Sequence, residues 1–395
     1  MELIPQLKMA ASGCNSLTVY SYSTVLLLSV LLAVFTGTNC FMRKNDPCPC
    51  KDQTLCNFIT KTPQKELFVF QVSDVNWLEY DWSYITTLVN FAAYNPDEMC
   101  YAHSKGARYI RAVGYPLNEL SNATYRSVWV KQQVELATKQ YTDGINIDFE
   151  KPLSRSRSEL LTELVNETAQ AFRAVNPYAQ ITIDVPHAPC GYGRCYDYVK
   201  LASICDFLAI MDYDMVGPSH DAHSNDGINY VKQGWEAFLK EGIPASKLVT
   251  AVPWYGYDFP CTHLLKDNIC SYNAPQDEND IVTANDVMTK RGVQKYGSRV
   301  QVVYKRITQL LKNSTTGRIF NETYGSPFFN HLVSGHIHQL WYDDPESLTL
   351  RYNAAKSFQL RGVSMWQADC LDYLDDPEAK ALTKAMWDAI NTFFM

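Results

Sequence analysis

Three features of the sequence predict an α/β fold, a (β/α)8 TIM barrel with an inserted subdomain between strands 7 and 8. They are eight short apolar runs, amphipathic stretches between them, and one interval too long for an ordinary crossover. The strand-like runs lie at 67–70, 88–92, 109–113, 144–149, 181–185, 207–211, 248–252 and 362–366. Helical stretches separate them, as at 125–140, 158–175 and 231–240. Strands alternating with helices imply parallel βαβ units, and eight of them favour a closed barrel over an open sheet. The long interval runs from Pro253 to Gly362. Within it, residues 257–338 read as the insertion, rich in Asn, Asp and Lys, and the barrel resumes at 339–342. A helix then follows Asp344-Pro345-Glu346, and the closing helix at 377–394 starts behind Asp375, Asp376 and Glu378, whose charges suit a helix N-terminus. The barrel domain spans 66–395.

Ahead of the barrel, residues 25–35 form an uncharged apolar run followed by small residues. A spanning helix needs roughly 20 apolar residues, so the run reads as the core of a signal peptide over 1–40, cleaved near 37–41. A retained signal anchor is the alternative. No later segment is long and apolar enough to span, so the mature chain is expected off the membrane. Four sequons, at Asn122, Asn166, Asn313 and Asn321, agree with secretory entry. So do the cysteines: Cys48, Cys50 and Cys56 in a Cys-rich segment at 41–65, then the close pairs Cys190/Cys195 and Cys261/Cys270. In an oxidising compartment these imply disulfides, with partners that sequence alone does not fix. A zinc site on Cys48, Cys50 and Cys56 lacks a fourth ligand at a supporting spacing.

Composition narrows the function classes. At 46% hydrophobic the chain is no disordered protein. Thirty-five basic against 42 acidic residues leave a net charge of −7, which argues against nucleic acid as partner. The 13% of aromatic residues exceeds what core packing usually needs, and sugar-binding clefts are one use of the excess.

The strongest chemical signal is Asp143-Gly144-Ile145-Asn146-Ile147-Asp148-Phe149-Glu150. Side chains alternate along a strand, so Asn146, Asp148 and Glu150 share one face and Ile145, Ile147 and Phe149 the other. In a barrel the apolar set packs against helices and the polar set points inward. Buried carboxylates cost several kcal/mol unless paired or protonated. Glu150 falls at the C-terminal end of its strand, where barrel enzymes place their sites. Two neighbouring acids cannot both ionise freely, so a raised pKa on Glu150 would keep it protonated as a general acid beside Asp148. A metal site or a solvated strand end is the competing reading, with no clear further ligand to complete a shell. His220, Asp221 and His223, like His336 and His338, are explained as well by a polar loop and an alternating strand. No metal and no cofactor are expected.

The motif Asp143-Gly-x-x-x-Asp148-x-Glu150 resembles the signature of glycoside hydrolase family 18, the chitinase-type barrels. The resemblance continues through Met211-Asp-Tyr213-Asp214, Pro253-Trp254-Tyr255-Gly256, Trp341-Tyr342-Asp343 and Gly362-Val-Ser-Met365-Trp366. It covers about 66–394. Most chitinases carry an Asp where this chain has Asn146. That departure, with Asp46-Pro-Cys48-Pro-Cys50 and the run from Trp254 to Asp258, resembles the lysosomal branch of the family.

By resemblance the chain is a glycosidase that uses the substrate's own 2-acetamido group as nucleophile. Glu150 would be the acid and base, Asp148 would orient the acetamido N–H, and Tyr213 would hydrogen-bond its oxygen. Asp214 would contact the same sugar, and Trp366 would floor the pyranose ring rather than serve as plain core. Tyr342 is open between cleft and packing, and Asn146 reads as a neighbour of the catalytic pair. The implied partner is an oligosaccharide containing N-acetylglucosamine (GlcNAc), cleaved at the GlcNAc-β1,4-GlcNAc core of N-linked glycans. The implied compartment is the lysosome, with secretion as the alternative, and a monomer is the default. Competing readings are a secreted chitinase acting on longer chitin oligomers and a non-catalytic chitinase-like lectin.

Overall fold

The computed structural model describes residues 47–215, 219–273, 293–296 and 299–395. The expected signal peptide, and with it Asp46, lies outside the described residues. Eight parallel strands close into a barrel. Numbered along the whole chain, they are β1 (Glu66–Gln71), β2 (Thr87–Asn90), β3 (Arg108–Val113), β4 (Gly144–Ile147), β5 (Gln180–Pro186), β6 (Phe207–Met211), β7 (Leu248–Pro253) and β16 (Gly362–Trp366). Every apolar run identified in the sequence supplies one of them. Helices α1 (Pro96–Ser104), α2 (Ala123–Gln140), α3 (Ser158–Val175), α4 (Tyr198–Ile204) and α5 (Ile228–Lys240) link the strands up to β7. The later helices α7 (Pro345–Ser357) and α8 (Pro377–Phe394) flank β16. Several helices start where their sequence says they should. Asn122 caps α2 by accepting from the Tyr125 N–H at 3.1 Å, and Asp344 and Ser347 form a capping box on α7. Each such cap stabilises by about 1 kcal/mol.

The barrel interior mixes aromatic packing with satisfied polar groups. Phe68 meets Phe207 edge-on at 5.1 Å, while Thr87 of β2 donates to Gln180 of β5 at 2.9 Å. Gln180 also pairs with Gly144 in the β4–β5 ladder. A Cβ on Gly144 would lie 1.9 Å from the Gln180 carbonyl oxygen, a backbone atom that cannot turn away. Gly144→Ala should therefore reach or exceed the upper end of the roughly 1–3 kcal/mol that overpacking costs. Urea unfolding checks this, and a variant as stable as wild type would contradict it.

Asp143, the first residue of the signature, is a structural tie at the opposite end of the barrel from Glu150. Its buried carboxylate accepts from the Tyr109 N–H at 3.0 Å and the Ile59 N–H at 3.2 Å, and contacts His103 Nε2 at 2.7 Å. It thereby anchors the N-terminal segment, which disulfides Cys48–Cys56 and Cys50–Cys100 also fix. Those bonds occupy all three sulfurs of the zinc alternative. The close pairs Cys190–Cys195 and Cys261–Cys270 are disulfides too.

The insertion begins at β8 (Tyr255–Pro260), directly after β7. It contains a short hairpin, β9 (His263–Leu264) with β10 (Cys270–Ser271). The larger part is an antiparallel sheet ordered β11-β12-β8-β15-β14-β13. Its remaining strands are β11 (Val293–Tyr296), β12 (Arg299–Val303), β13 (Ile319–Asn321), β14 (Ser326–Val333) and β15 (His336–Trp341), with α6 (Tyr304–Leu311) between β12 and β13. The insertion is thus wider than the 257–338 read from sequence. The segment 339–342 does not resume the barrel, because Trp341 pairs with Tyr257 and Phe328 within the added sheet.

Candidate active site

The carboxylates sit just beyond the end of β4. The ladder ends at Ile147, but the Asp148 N–H still donates to the Val113 carbonyl at 2.9 Å, so the alternation carries on to Glu150. Ile145, Ile147 and Phe149 are buried, as their alternation requires. Asn146 is fully buried, and its amide donates to Thr182 at 3.0 Å and to Asp184 Oδ1 at 2.9 Å. Its oxygen has no hydrogen-bond partner among the described residues.

Burial and like charge act together on the acids of this site. Burial first, then the charge and hydrogen bond of Glu150, push the Asp148 carboxyl up to about 8. Asp184, one strand over, is also driven well up by burial and by Asp148. Beside Asp148, Glu150 accepts an ion pair from Arg194 at 2.7 Å. The Cys190–Cys195 disulfide closes the loop that carries Arg194.

Tyr213 follows β6 and is nearly buried, and its ring lies 6.4 Å from that of Trp366. Its phenol is held well above the usual range by burial and then by Glu150, Asp184, Asp214 and Asp148, so these groups converge on it. Asp214 adopts φ 58°, uncommon for a side-chain-bearing residue. Four contacts hold it there. Its N–H donates to Asn225 Oδ1 at 2.6 Å, Tyr192 donates to its carbonyl at 2.5 Å, and Tyr255 and Tyr257 donate to its carboxylate at 2.5 and 2.7 Å. The β8 strand of the insertion thus completes the site. Half-buried Trp366, at the end of β16, packs edge-on against Phe70 and Phe91 at 5.5 and 5.0 Å.

Asn146, Asp148, Glu150, Tyr213, Asp214 and Trp366 are therefore gathered at one end of the barrel. Tyr342 is not among them. It is buried against Phe329 and lines a separate hollow with Tyr304, Arg318 and Asp344, so packing is its place. Arg194, Asp184, Tyr255 and Tyr257 were missed. The alternation that singles out Asp148 also puts Thr182 and Asp184 inward on β5, so Asp184 was findable. Arg194 lies in a short disulfide loop with no periodicity to mark it. Next to the site, Tyr192, His187, Met215, His223, Tyr230 and Tyr324 surround a cavity of about 580 Å³.

Comparison with known proteins agrees with this geometry. The chain matches the description Glycosyl hydrolases family 18 over residues 113–370. It is 38% identical over 374 residues to di-N-acetylchitobiase of Mus musculus, covering 93% of this chain and 96% of the relative. The chain belongs to glycosyl hydrolases family 18. Within this family it is also 37% identical to the Homo sapiens di-N-acetylchitobiase, over 87% of this chain and 88% of that protein. Its fold matches that of a class V chitinase from Nicotiana tobaccum with a TM-score of 0.66 at 18% identity, covering 84% of this chain and 100% of that one. As a family 18 member the chain is a glycoside hydrolase, and the expected barrel and family are both borne out. No helix among the described residues is long and apolar enough to cross a membrane.

Proposed function

We propose that this chain hydrolyses the GlcNAc-β1,4-GlcNAc bond of chitobiose cores left by N-linked glycoprotein breakdown, with retention and with the substrate's acetamido group as nucleophile. The observation that carries this reading is the adjacency of Asp148 and Glu150 beside Tyr213, Asp214 and Trp366. An intramolecular nucleophile gains several orders of magnitude in effective concentration, so no second protein carboxylate need attack.

The steps follow from the proton's location. In the free enzyme Asp148 holds it and Glu150 leans on Arg194. A bound acetamido N–H donates to Asp148 and favours its ionised form, so the proton passes to Glu150, which is then released from Arg194. Glu150 protonates the glycosidic oxygen as the C1–O bond breaks and the acetamido oxygen closes on C1. The resulting oxazolinium ion is stabilised by the Asp148 carboxylate, while Tyr213 donates to the acetamido oxygen. Water then attacks C1 and gives its proton to Glu150 while the C1–acetamido oxygen bond breaks and re-forms the acetamido group, which restores the β-configuration. Asn146 cannot exchange a proton, but its amide fixes Asp184 and its free oxygen offers an acceptor to this chain of acids. Trp366 supports the sugar ring, Asp214 contacts the same sugar, and the adjoining cavity has room for the rest of the oligosaccharide.

The test is release of GlcNAc from a free chitobiose-core oligosaccharide at mildly acid pH. Binding without cleavage, of this or of longer chitin oligomers, would make the chain a lectin. Faster cleavage of long chitin oligomers than of the core would favour the chitinase reading. Activity should fall as pH rises through about 8, where Asp148 loses the proton the pair depends on.

A lysosomal destination reached through the secretory pathway is part of this proposal. Four disulfides among the described residues suit the oxidising compartments on that route. Buried carboxyls favour acid. Glu98 is pushed up to about 7, and Asp148 and Asp212 to about 8, in each case chiefly by burial. Their unfolded values are roughly 3.9–4.3. Between those limits the native state keeps protons that the unfolded chain releases, so this stability is full below the unfolded pKa and is lost as pH rises through the folded one. Asp258, held low by hydrogen bonds from two histidines that outweigh its burial, acts in the opposite sense but at lower pH. The melting temperature should be higher at pH 5 than at pH 8, and the reverse order in a calorimetric scan would contradict this.

A further inference from the structure

On the insertion sheet, His331 of β14 stands directly opposite His338 of β15, and Asp258 of β8 lies on the next strand, paired with Leu340. Paired residues and residues two apart share a face, so all three side chains project together. This is the face of β8 turned away from Tyr255 and Tyr257, and the proposed mechanism uses none of the three. His331 Nε2 lies 2.9 Å from Asp258 Oδ1, and His338 Nδ1 lies 3.0 Å from Asp258 Oδ2. One ligand atom from each residue falls within 4.8 Å of the others. The His331 side chain is 4% exposed, while those of Asp258 and His338 remain 13% and 18% exposed, so an ion could enter from one side.

We propose that Asp258, His331 and His338 form a zinc site, with two imidazole nitrogens, one carboxylate oxygen and a fourth position left to water. Two nitrogens and one oxygen suit zinc better than calcium or magnesium, which take oxygen ligands. Bonds of about 2.0–2.1 Å put tetrahedral ligand atoms roughly 3.4 Å apart. Each nitrogen lies against a different Asp258 oxygen, at 2.9 and 3.0 Å, so binding would turn the carboxylate until one oxygen faces both nitrogens at about that spacing. Three adjacent strands of one sheet hold the donors, so little ordering remains to be done on binding. The ion would clamp β8, β14 and β15, the strands behind the tyrosines that fix Asp214.

The same geometry also describes two imidazoles that merely satisfy a carboxylate, and the two readings differ in their response to metal. The full-length, tag-free protein should be stripped with EDTA and dialysed against Zn2+ at neutral pH. Bound metal and melting temperature are then measured for wild type, Asp258→Asn and His338→Gln. The expected result is one zinc per wild-type chain, a raised melting temperature, and a tetrahedral Co2+ spectrum on substitution. In His338→Gln the affinity should fall by more than the roughly 10–100-fold that an outer-sphere change costs. Should Asp258→Asn fail to fold, His338→Gln at a partly exposed position still decides. Less than stoichiometric uptake by wild type, or equal uptake and equal melting shifts in wild type and His338→Gln, overturns the proposal.

Discussion

Glu150→Gln should abolish hydrolysis while leaving both fold and sugar binding in place. The substitution keeps the shape, and the amide oxygen can still accept from Arg194, whose guanidinium lies 2.7 Å from the Glu150 carboxylate. It removes the only group in the proposed scheme that hands a proton to the leaving oxygen and later takes one from water. General acid–base catalysis contributes roughly 10²–10⁴-fold, and a residue that serves both steps belongs at the upper end. The affinity for a chitobiose-core oligosaccharide, read by calorimetry, should stay within a few-fold of wild type. A variant that retained most of its kcat would remove Glu150 from the mechanism.

Arg351→Met should cost about 3–5 kcal/mol of stability, the range for breaking a buried ion pair from one side. Arg351, Asp226 and Asp343 are all excluded from solvent. The guanidinium donates to both Asp226 oxygens, the second at 2.6 Å, and to the Gly325 carbonyl at 2.8 Å, with Asp343 at 3.1 Å. It ties α7 to the loop after β6 and to the start of β14. Burial drives Asp343 well up despite Arg351, so losing its charge disturbs the cluster less and Asp343→Asn should be far milder. Asp226 neighbours Asn225, which accepts from the Asp214 N–H. Arg351→Met should therefore weaken catalysis as well as lower the denaturation midpoint. Equal losses for the two variants would contradict this division of charge.

The sequence and the structure agree most closely where periodicity governs. All eight barrel strands were legible, because each has an apolar face that must be buried on a helix layer, and 158–175 was read as a helix with the ends the structure gives it. The inward row Asn146, Asp148, Glu150 was legible for the same reason. Its surroundings were not, because Arg194, which pairs with Glu150, lies far along the chain in a loop without periodicity. The insertion was under-read at both ends because Tyr255 and Trp341 sit in motifs that look like barrel-strand ends, yet pair with strands of their own sheet. Tyr342 shares that motif and went with the packing. Tyr257 donates to Asp214 across 43 positions of sequence, a contact only the folded insertion creates.

The most direct test of substrate-assisted cleavage is the anomeric configuration of the new reducing end, followed by NMR from the first moments of chitobiose-core hydrolysis. The account predicts that the sugar released from the cleaved bond first appears as the β-anomer, and that an analogue lacking the acetamido group is bound but left uncut. An initial α-anomer, or cleavage of the analogue at a comparable rate, would contradict it.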